Sequence, residues 1–229
     1  MTTELNDLNI VVTGGTGALG SDIVSALVAR GATCYIPSFF DPPTESPERV
    51  HYRGPIDLSE SEQVREYYEK LPTIWASVHV AGGFAMSGIC DTSFEDFEKM
   101  WRMNTVSTFL CCQASVVNMR AAGTAGRILN VAAKPAVDPV GGMLAYTTSK
   151  AGVASLTQCL AKELAPEGIT VNAILPAIMD TPANREAMPD ADHANWPKTS
   201  EIAHVVASLV SPHNSLTSGC LVPVYGKMT

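Results

Sequence analysis

A glycine-rich turn near the N-terminus constrains the fold of this chain more than any other feature. Residues 8–12 have the apolar pattern of a buried strand, and residues 19–29 have the apolar spacing of a helix. Gly15, Gly17 and Gly20 lie between these two segments. Glycines at this spacing allow a tight turn, a close approach of the backbone to a pyrophosphate, and close packing of the helix on the sheet. The turn therefore predicts a dinucleotide-binding site, whereas a turn that serves packing alone is the alternative.

The start of the helix supplies free N–H groups and the positive end of a dipole, which suit phosphate groups. The residues expected to contact a dinucleotide here are Gly14, Gly15, Thr16, Gly17, Ala18, Leu19 and Gly20. An acidic residue at the end of the second strand would repel a 2′-phosphate, but Ser38 occupies that position. No Arg or Lys stands beside Ser38, so the cofactor is NADP(H) or NAD(H), with NADP(H) slightly favoured. Asp57 ends the next strand and is expected to bind the adenine amino group, or else to be an ordinary surface aspartate.

Strand and helix patterns alternate along all 229 residues. Such alternation predicts parallel β-α-β crossovers, and hence an α/β fold: a single-domain, Rossmann-type, doubly wound parallel sheet of about seven strands with helices on both faces. We expect helices over residues 59–70, with Ser59 as the cap, over 93–122 and over 146–164. The polar residues 180–198 are expected to form a substrate-side loop. With no linker or repeat, residues 1–229 read as one domain.

Composition narrows the class of protein further. Hydrophobic residues make up 46% of the chain and charged residues 17%, which provides material for a core. The net charge of −8 argues against nucleic-acid binding. No signal peptide and no apolar run approaching the ~20 residues of a membrane span is present, so a cytoplasmic protein is expected. The six cysteines lack metal-ligand spacing, which favours reduced thiols and no metal site.

The spacing of Tyr146 and Lys150 points to proton transfer. Residues four apart share one face of a helix, so the Lys150 ammonium is expected beside the Tyr146 phenol. The pKa of a free phenol is about 10, and a nearby cation would lower it toward neutrality. The pair is therefore predicted to be catalytic, and Lys150 is also expected to hold the nicotinamide ribose.

Several motifs together resemble the short-chain dehydrogenase/reductase family over essentially the whole chain. They are the turn at residues 13–20, Ala81-Gly82-Gly83, Tyr146 with Lys150, the segment from Pro176 to Thr181, and Ser218-Gly219 followed by Val224. The resemblance implies hydride transfer between NAD(P) and a carbonyl-like or imine-like group of a small molecule, with Tyr146 donating or accepting the proton. It also implies that Ala81, Gly82, Gly83, Pro176 and Thr181 contact the cofactor.

Two departures from the family pattern bear on the substrate. Many members carry a serine thirteen positions before the tyrosine, where this chain has Ala133, and His79-Val80 replaces an Asn-Asn pair. These departures resemble the dihydropteridine reductase branch, whose quinonoid acceptor does not need an alcohol-orienting serine. Asn104, by contrast, stands where ordinary members carry a catalytic asparagine.

Three functions therefore remain open: a reductase of the dihydropteridine type, an ordinary ketone or alcohol dehydrogenase without the serine, and a catalytically silent NAD(P)-binding sensor.

Trp196 in the polar segment is expected either to cover the substrate pocket or to pack on the core. His79 is expected to be a hydrogen-bonded interior residue. The family resemblance and the wide apolar arcs of helices 93–122 and 146–164 predict a homodimer or homotetramer.

Overall fold

Residues 3–228 are described by a computed structural model. A seven-stranded sheet runs through the centre, and all of its strand pairs are parallel. The strands are β1 Asn9–Thr13, β2 Thr33–Pro37, β3 Val50–Arg53, β4 Ala76–His79, β5 Gly126–Val131, β6 Ile169–Pro176 and β7 Leu221–Val224. Their spatial order is β3-β2-β1-β4-β5-β6-β7, so the direction of winding reverses between β1 and β4. Ligands of such sheets bind at the carboxyl ends of the strands beside that reversal.

Helices cover both faces of the sheet, which confirms the predicted fold class. They are α1 Ala18–Val28, α2 Ser61–Glu69, α3 Phe94–Trp101, α4 Ser107–Ala122, α5 Leu144–Leu164, α6 Pro182–Ala187 and α7 Thr199–Leu209. Ile23 of α1 and Val206 of α7 are buried in the apolar cluster of one face. Val64 of α2, Val116 of α4 and Leu164 of α5 belong to the cluster of the other face. In the described part of the chain, no helix combines the length and the apolarity that a bilayer span requires.

The predicted helix over 93–122 is interrupted. Ser93 caps its start by accepting a hydrogen bond from the Asp96 amide at 3.0 Å. Residues Arg102–Val106 then form a π-helical turn between α3 and α4. Such turns are frequent at functional sites because the wider backbone redirects the side chains.

The prediction that Ser59 caps a helix is wrong. Helix α2 begins at Ser61, with Glu60 as its N-cap residue. Ser59 instead donates hydrogen bonds from its amide and its hydroxyl to Asp57 Oδ1, both at 2.8 Å. Asp57 therefore folds the loop into an Asx turn, because its carboxylate competes for the amide that would otherwise start the helix.

Candidate active site

A cleft of about 1230 Å³ opens at the carboxyl ends of the strands. Most residues singled out from the sequence line it: Gly14, Thr16, Gly17, Ala18, Leu19, Gly20, Ser38, Asp57, Ala81, Gly82, Gly83, Ala133, Tyr146, Lys150 and Pro176. The four whose positions differ from that expectation are Gly15, Asn104, Thr181 and Trp196. The topology brings the lining residues together because the turns after β1, β4, β5 and β6 all end at one edge.

The glycine turn has the shape that a pyrophosphate requires. Gly14 has φ +66°, and a Cβ there would lie 2.8 Å from the Ala81 amide nitrogen. A Cβ at Gly20 would overlap the Gly14 carbonyl oxygen. Within residues 3–228, no side chain caps the start of α1, so its first amides are free to bind an anion. These features fit the phosphates of a dinucleotide.

Gly15 does not line the cleft and serves packing instead. A Cβ at this position would lie 2.9 Å from Ile36 Cγ2, in the core beneath the turn. Gly15 is therefore needed for the close approach of the turn to β2, and a contact of its backbone with the cofactor stays a prediction.

Tyr146 lies in the first turn of α5 and faces the cleft. Its ring stacks edge-on against Phe84, with the ring centroids 4.9 Å apart. Burial raises the pKa of Tyr146 to about 12, so the phenol keeps its proton at neutral pH. This direction is opposite to the lowering of the Tyr146 pKa expected from Lys150, because burial disfavours the charged phenolate.

Lys150 is buried one helical turn beyond Tyr146. Its Nζ donates a hydrogen bond of 2.8 Å to the Val131 carbonyl at the end of β5. Burial lowers the pKa of Lys150 to about 8. A Cβ at Gly82 would lie 3.2 Å from Lys150 Nζ, so the glycine keeps the space above the ammonium open.

Asn104 lies in the π-helical turn, fully buried behind the cleft wall. Its Oδ1 accepts from the Gly83 amide, and its Nδ2 donates to the Gly83 carbonyl and to Ser149 Oγ, each at 3.1 Å. Ser149 Oγ in turn donates to the Tyr146 carbonyl at 2.7 Å. These bonds join the Gly83 loop to α5, which gives Asn104 a positioning role, and a catalytic role for Asn104 stays a prediction.

Trp196 and Thr181 are both buried away from the cleft. Trp196 is 7% exposed and lies 4.5 Å from the His193 ring, centroid to centroid. Trp196 is not among the residues that line the cleft, and its contact with His193 lies within its own segment. Thr181 caps α6 by accepting a hydrogen bond from the Asn184 amide at 3.2 Å, and its predicted contact with the cofactor stays a prediction. The predicted loop at 180–198 thus contains a helix.

Ser38 and Asp57 line the end of the cleft that is expected to hold the adenosine part of the cofactor. The Ser38 amide donates to the Arg53 carbonyl, and the Ser38 carbonyl accepts from the Ile56 amide, both at 2.8 Å. Arg49 donates to the Gly31 carbonyl at 2.8 Å, which holds its guanidinium away from Ser38. Asp57 lines the cleft while Oδ1 accepts from Ser59.

Several apolar side chains that line the cleft were missed by the sequence analysis. They are Phe39, Phe40, Phe84, Met103 and Met179. The signal for the first two was available, since two adjacent phenylalanines open a polar, proline-rich loop directly after β2. The others stand in segments where the sequence does not indicate which way a side chain points.

His79 is an interior residue whose ring nitrogens are both hydrogen-bonded, as predicted. Its Nε2 lies 2.9 Å from Ser77 Oγ, and its Nδ1 lies 2.8 Å from Asn130 Oδ1. Burial lowers the pKa of His79 to about 4, so the ring is neutral at pH 7. Over residues 3–228, no cluster of three or more His, Cys, Asp or Glu side chains is placed to hold a metal ion.

Comparison with known proteins agrees with this geometry. A family model described as short chain dehydrogenase matches residues 8–192. A 2,5-dichloro-2,5-cyclohexadiene-1,4-diol dehydrogenase of Sphingobium indicum is 29% identical over 223 residues, which cover 92% of this chain and 87% of that protein. The dihydropteridine reductase of Dictyostelium discoideum is 29% identical over 222 residues, which cover 93% of each.

A solved structure of ElxO with NADP bound has the same fold. It superposes with a TM-score of 0.87 at 21% sequence identity, covering 96% of this chain and 98% of that one. The family match spans well over half of the sequence and includes the glycine turn and the Tyr146–Lys150 pair. The chain therefore belongs to the short-chain dehydrogenase family and is an NAD(P)-dependent oxidoreductase.

Proposed function

We propose that the chain transfers a hydride from NAD(P)H to a conjugated carbonyl-, imine- or quinonoid-type acceptor, with Tyr146 as the general acid. The observation that carries the proposal is the Tyr146 phenol, which is buried, keeps its proton and faces the cleft. Ala133 lies in the cleft wall at the position of the family's serine, which bears on the choice of acceptor. The site can therefore give a proton to the acceptor but offers no hydroxyl at position 133 to orient an alcohol.

Some residues of the cleft would bind the cofactor, and others would transfer the proton. The glycine turn and the first amides of α1 would hold the phosphates, Ser38 the adenosine ribose, Asp57 the adenine amino group, and Lys150 the nicotinamide ribose. The bound nicotinamide supplies the hydride. Tyr146 donates its O–H proton to the acceptor atom that gains negative charge, and the Lys150 ammonium stabilises the resulting phenolate.

The surroundings of Tyr146 favour a flat, conjugated acceptor. Phe84, Ala133 and Met179 present apolar surface to the cleft. Phe84 is 60% exposed, and it leaves a ring face available for contact with a second π system. The dihydropteridine reductase relative supports a quinonoid dihydropterin as the first candidate.

A second candidate is an ordinary alcohol or ketone dehydrogenase that works without the serine, which the diol dehydrogenase relative supports. A catalytically silent cofactor sensor is the third. The presence of both Tyr146 and Lys150 in the cleft weighs against the sensor, since binding alone does not require a proton donor.

Steady-state assays with NADPH and NADH distinguish these functions, with quinonoid dihydropterin, simple quinones, ketones and alcohols as substrates. Tyr146→Phe is expected to lower kcat about 10²- to 10⁴-fold, because it removes the general acid. Tyr67→Phe is the matched control: in the described structure its buried hydroxyl has no hydrogen-bond partner, and it lies outside the cleft. Unchanged turnover in Tyr146→Phe would exclude the mechanism. Tight NADPH binding with no oxidation by any acceptor would favour the sensor.

Three further properties belong to the proposal. NADP(H) is slightly favoured because no acidic residue stands at position 38. A homodimer or homotetramer through α3–α4 and α5 is supported by the exposed Phe109 and Val117, and sedimentation equilibrium measures it. Six unpaired cysteines support a reducing compartment such as the cytoplasm.

A further inference from the structure

A lysine beside the cleft is bonded to a segment that is distant in sequence. Lys134 directly follows Ala133, in the short turn after β5. Its Nζ donates a hydrogen bond of 3.1 Å to the Met228 carbonyl and lies 5.0 Å from the centre of the Tyr225 ring. Among residues 3–228, no carboxylate lies within ion-pair distance of this ammonium. The carbonyl and the aromatic ring are therefore its partners.

Residues 225–228, called the bridging segment below, also contact the substrate-side segment. The Lys227 amide donates a hydrogen bond of 3.2 Å to the Asn195 carbonyl. Gly226 has φ +63°, and a Cβ there would lie 3.0 Å from the Pro197 nitrogen. A side chain at this position would push the two segments apart, so the glycine permits their close contact.

The connection reaches the cleft at both of its ends. At one end, Ala133 lines the cleft and is followed by Lys134. At the other end, the Asp180 amide donates to the Pro197 carbonyl at 2.9 Å, and the preceding residue, Met179, lines the cleft. Two walls of the cleft are thus joined outside it. Lys134 contributes the one side chain among these hydrogen bonds, since the others join backbone atoms.

The ring beneath the ammonium is held by the core. Tyr225 packs against the apolar cluster that contains Ala132, Val153 and Leu175. The face of an aromatic ring attracts a cation, so the ring and the carbonyl together fix the position of Lys134 Nζ. The bridging segment therefore has a defined place relative to β5.

We infer that Lys134 is a positioning residue for the acceptor: through the bridging segment it fixes the distance between the wall that carries Ala133 and the wall that carries Met179. Lys134 does not line the cleft itself, so it acts through these walls. The positioning of an acceptor rests on the proposed function, whereas the connection between the walls does not.

Hydrogen–deuterium exchange with mass spectrometry tests the connection without an acceptor. Lys134→Met keeps the length and the apolar stem of the side chain and removes the ammonium. In this variant, peptides that cover the bridging segment and residues 195–198 should exchange about tenfold faster, because a hydrogen bond to a charged group is lost. The glycine turn at residues 13–20 should exchange as in the wild-type protein.

Steady-state kinetics with the conjugated acceptor test the positioning role. Lys134→Met should lower kcat/KM for the acceptor about 10- to 100-fold, because a displacement of about 1 Å in a substrate site has an effect of that size. The dissociation constant for NADPH, measured by fluorescence titration, should be unchanged, since the bonds of Lys134 do not involve the glycine turn. Lys134→Arg should restore kcat/KM, because a guanidinium can also donate to the Met228 carbonyl and lie over the Tyr225 ring.

Two further variants complete the comparison. Lys162→Met removes an exposed lysine in the last turn of α5 and should change neither exchange nor kinetics. Tyr225→Leu keeps apolar bulk but removes the ring face, and it should shift both measurements in the same direction as Lys134→Met.

Unchanged exchange in Lys134→Met would show that the ammonium does not join the walls, which would overturn the inference. Faster exchange with an unchanged kcat/KM for the acceptor, or with an equal loss of NADPH affinity, would also overturn it, because Lys134 would then be structural only. A wild-type protein that reduces no acceptor would contradict the proposed function and the positioning role with it. The exchange result would still show whether Lys134 joins the two walls.

Discussion

At the level of single residues, burial determines the protonation states of Tyr146 and Lys150. Burial holds the pKa of Tyr146 at about 12 and that of Lys150 at about 8, so both groups carry protons at neutral pH. A phenol of this kind gives its proton only to a strong base, such as the oxygen or nitrogen atom on which charge develops when a hydride arrives. This protonation state matches the general-acid role proposed for Tyr146.

Under the proposed function, the side chain at position 133 determines which class of substrate the site accepts. Ala133 is 3% exposed and lies in the cleft wall. We expect Ala133→Ser to raise kcat/KM for simple ketones by about tenfold, because a new hydroxyl can donate one hydrogen bond to the ketone oxygen. Initial rates with a ketone panel and with the conjugated acceptor measure the change.

The control for this change is Ala136→Ser, in the same short loop but outside the cleft. It adds an identical hydroxyl and should leave both rates as they are. If Ala133→Ser and Ala136→Ser behave alike toward ketones, the absence of the serine does not determine the substrate class.

At the level of helices and strands, the alternating pattern predicted the parallel sheet well, because each strand and helix buries its own apolar residues. The glycine turn was equally predictable, since Gly14 and Gly20 meet local backbone requirements that are visible in the sequence. The π-helical turn at Arg102–Val106 was not predictable from local sequence, and the partners of its Asn104 side chain, Gly83 and Ser149, are distant in sequence. The burial of Trp196 depends on how residues 180–198 fold back on themselves, and polarity alone does not indicate that.

Asn104 joins the π-helical turn to the loop after β4, so its removal should weaken both the fold and the cofactor loop. Asn104→Ala removes the partners of the Gly83 amide and carbonyl. Each unsatisfied backbone group costs about 1–3 kcal/mol, so the loss of both partners should lower the free energy of unfolding by about 2–6 kcal/mol. Because Gly82 and Gly83 line the cofactor cleft, the KM for NADPH should rise more than kcat falls. Urea unfolding and steady-state kinetics measure the two effects.

Asn214→Ala is the comparison, since its side chain holds the Leu209 carbonyl far from the cleft. It should reduce stability without changing the KM for NADPH. Should both variants alter the KM equally, Asn104 would be structural only and would not position the cofactor loop.

Over the whole molecule, a chain of buried polar side chains crosses the core from α2 to α5. The Tyr68 hydroxyl lies 2.9 Å from Ser77 Oγ, which lies 2.9 Å from His79 Nε2. His79 Nδ1 lies 2.8 Å from Asn130 Oδ1, and Asn130 Nδ2 donates to Thr157 Oγ1 at 2.9 Å. Since Oδ1 of Asn130 can only accept, Nδ1 of His79 carries the proton and Nε2 accepts from Ser77. The neutral ring thus connects the two central strands to a helix on one face.

This neutral histidine makes the stability of the whole fold sensitive to acid. The pKa of His79 is lowered by burial from its ordinary value near 6.5 to about 4, so between these values the unfolded chain binds a proton that the folded chain does not. The contribution of His79 to the free energy of unfolding is therefore fully present above pH 6.5. It falls by about 3 kcal/mol as the pH drops toward 4. His79→Asn should remove this part of the pH dependence, whereas His204→Asn, on the exposed face of α7, should retain it. Urea unfolding at pH 7, 6, 5 and 4 compares the slopes. Parallel curves for the wild-type protein and His79→Asn would show that other groups set the acid sensitivity.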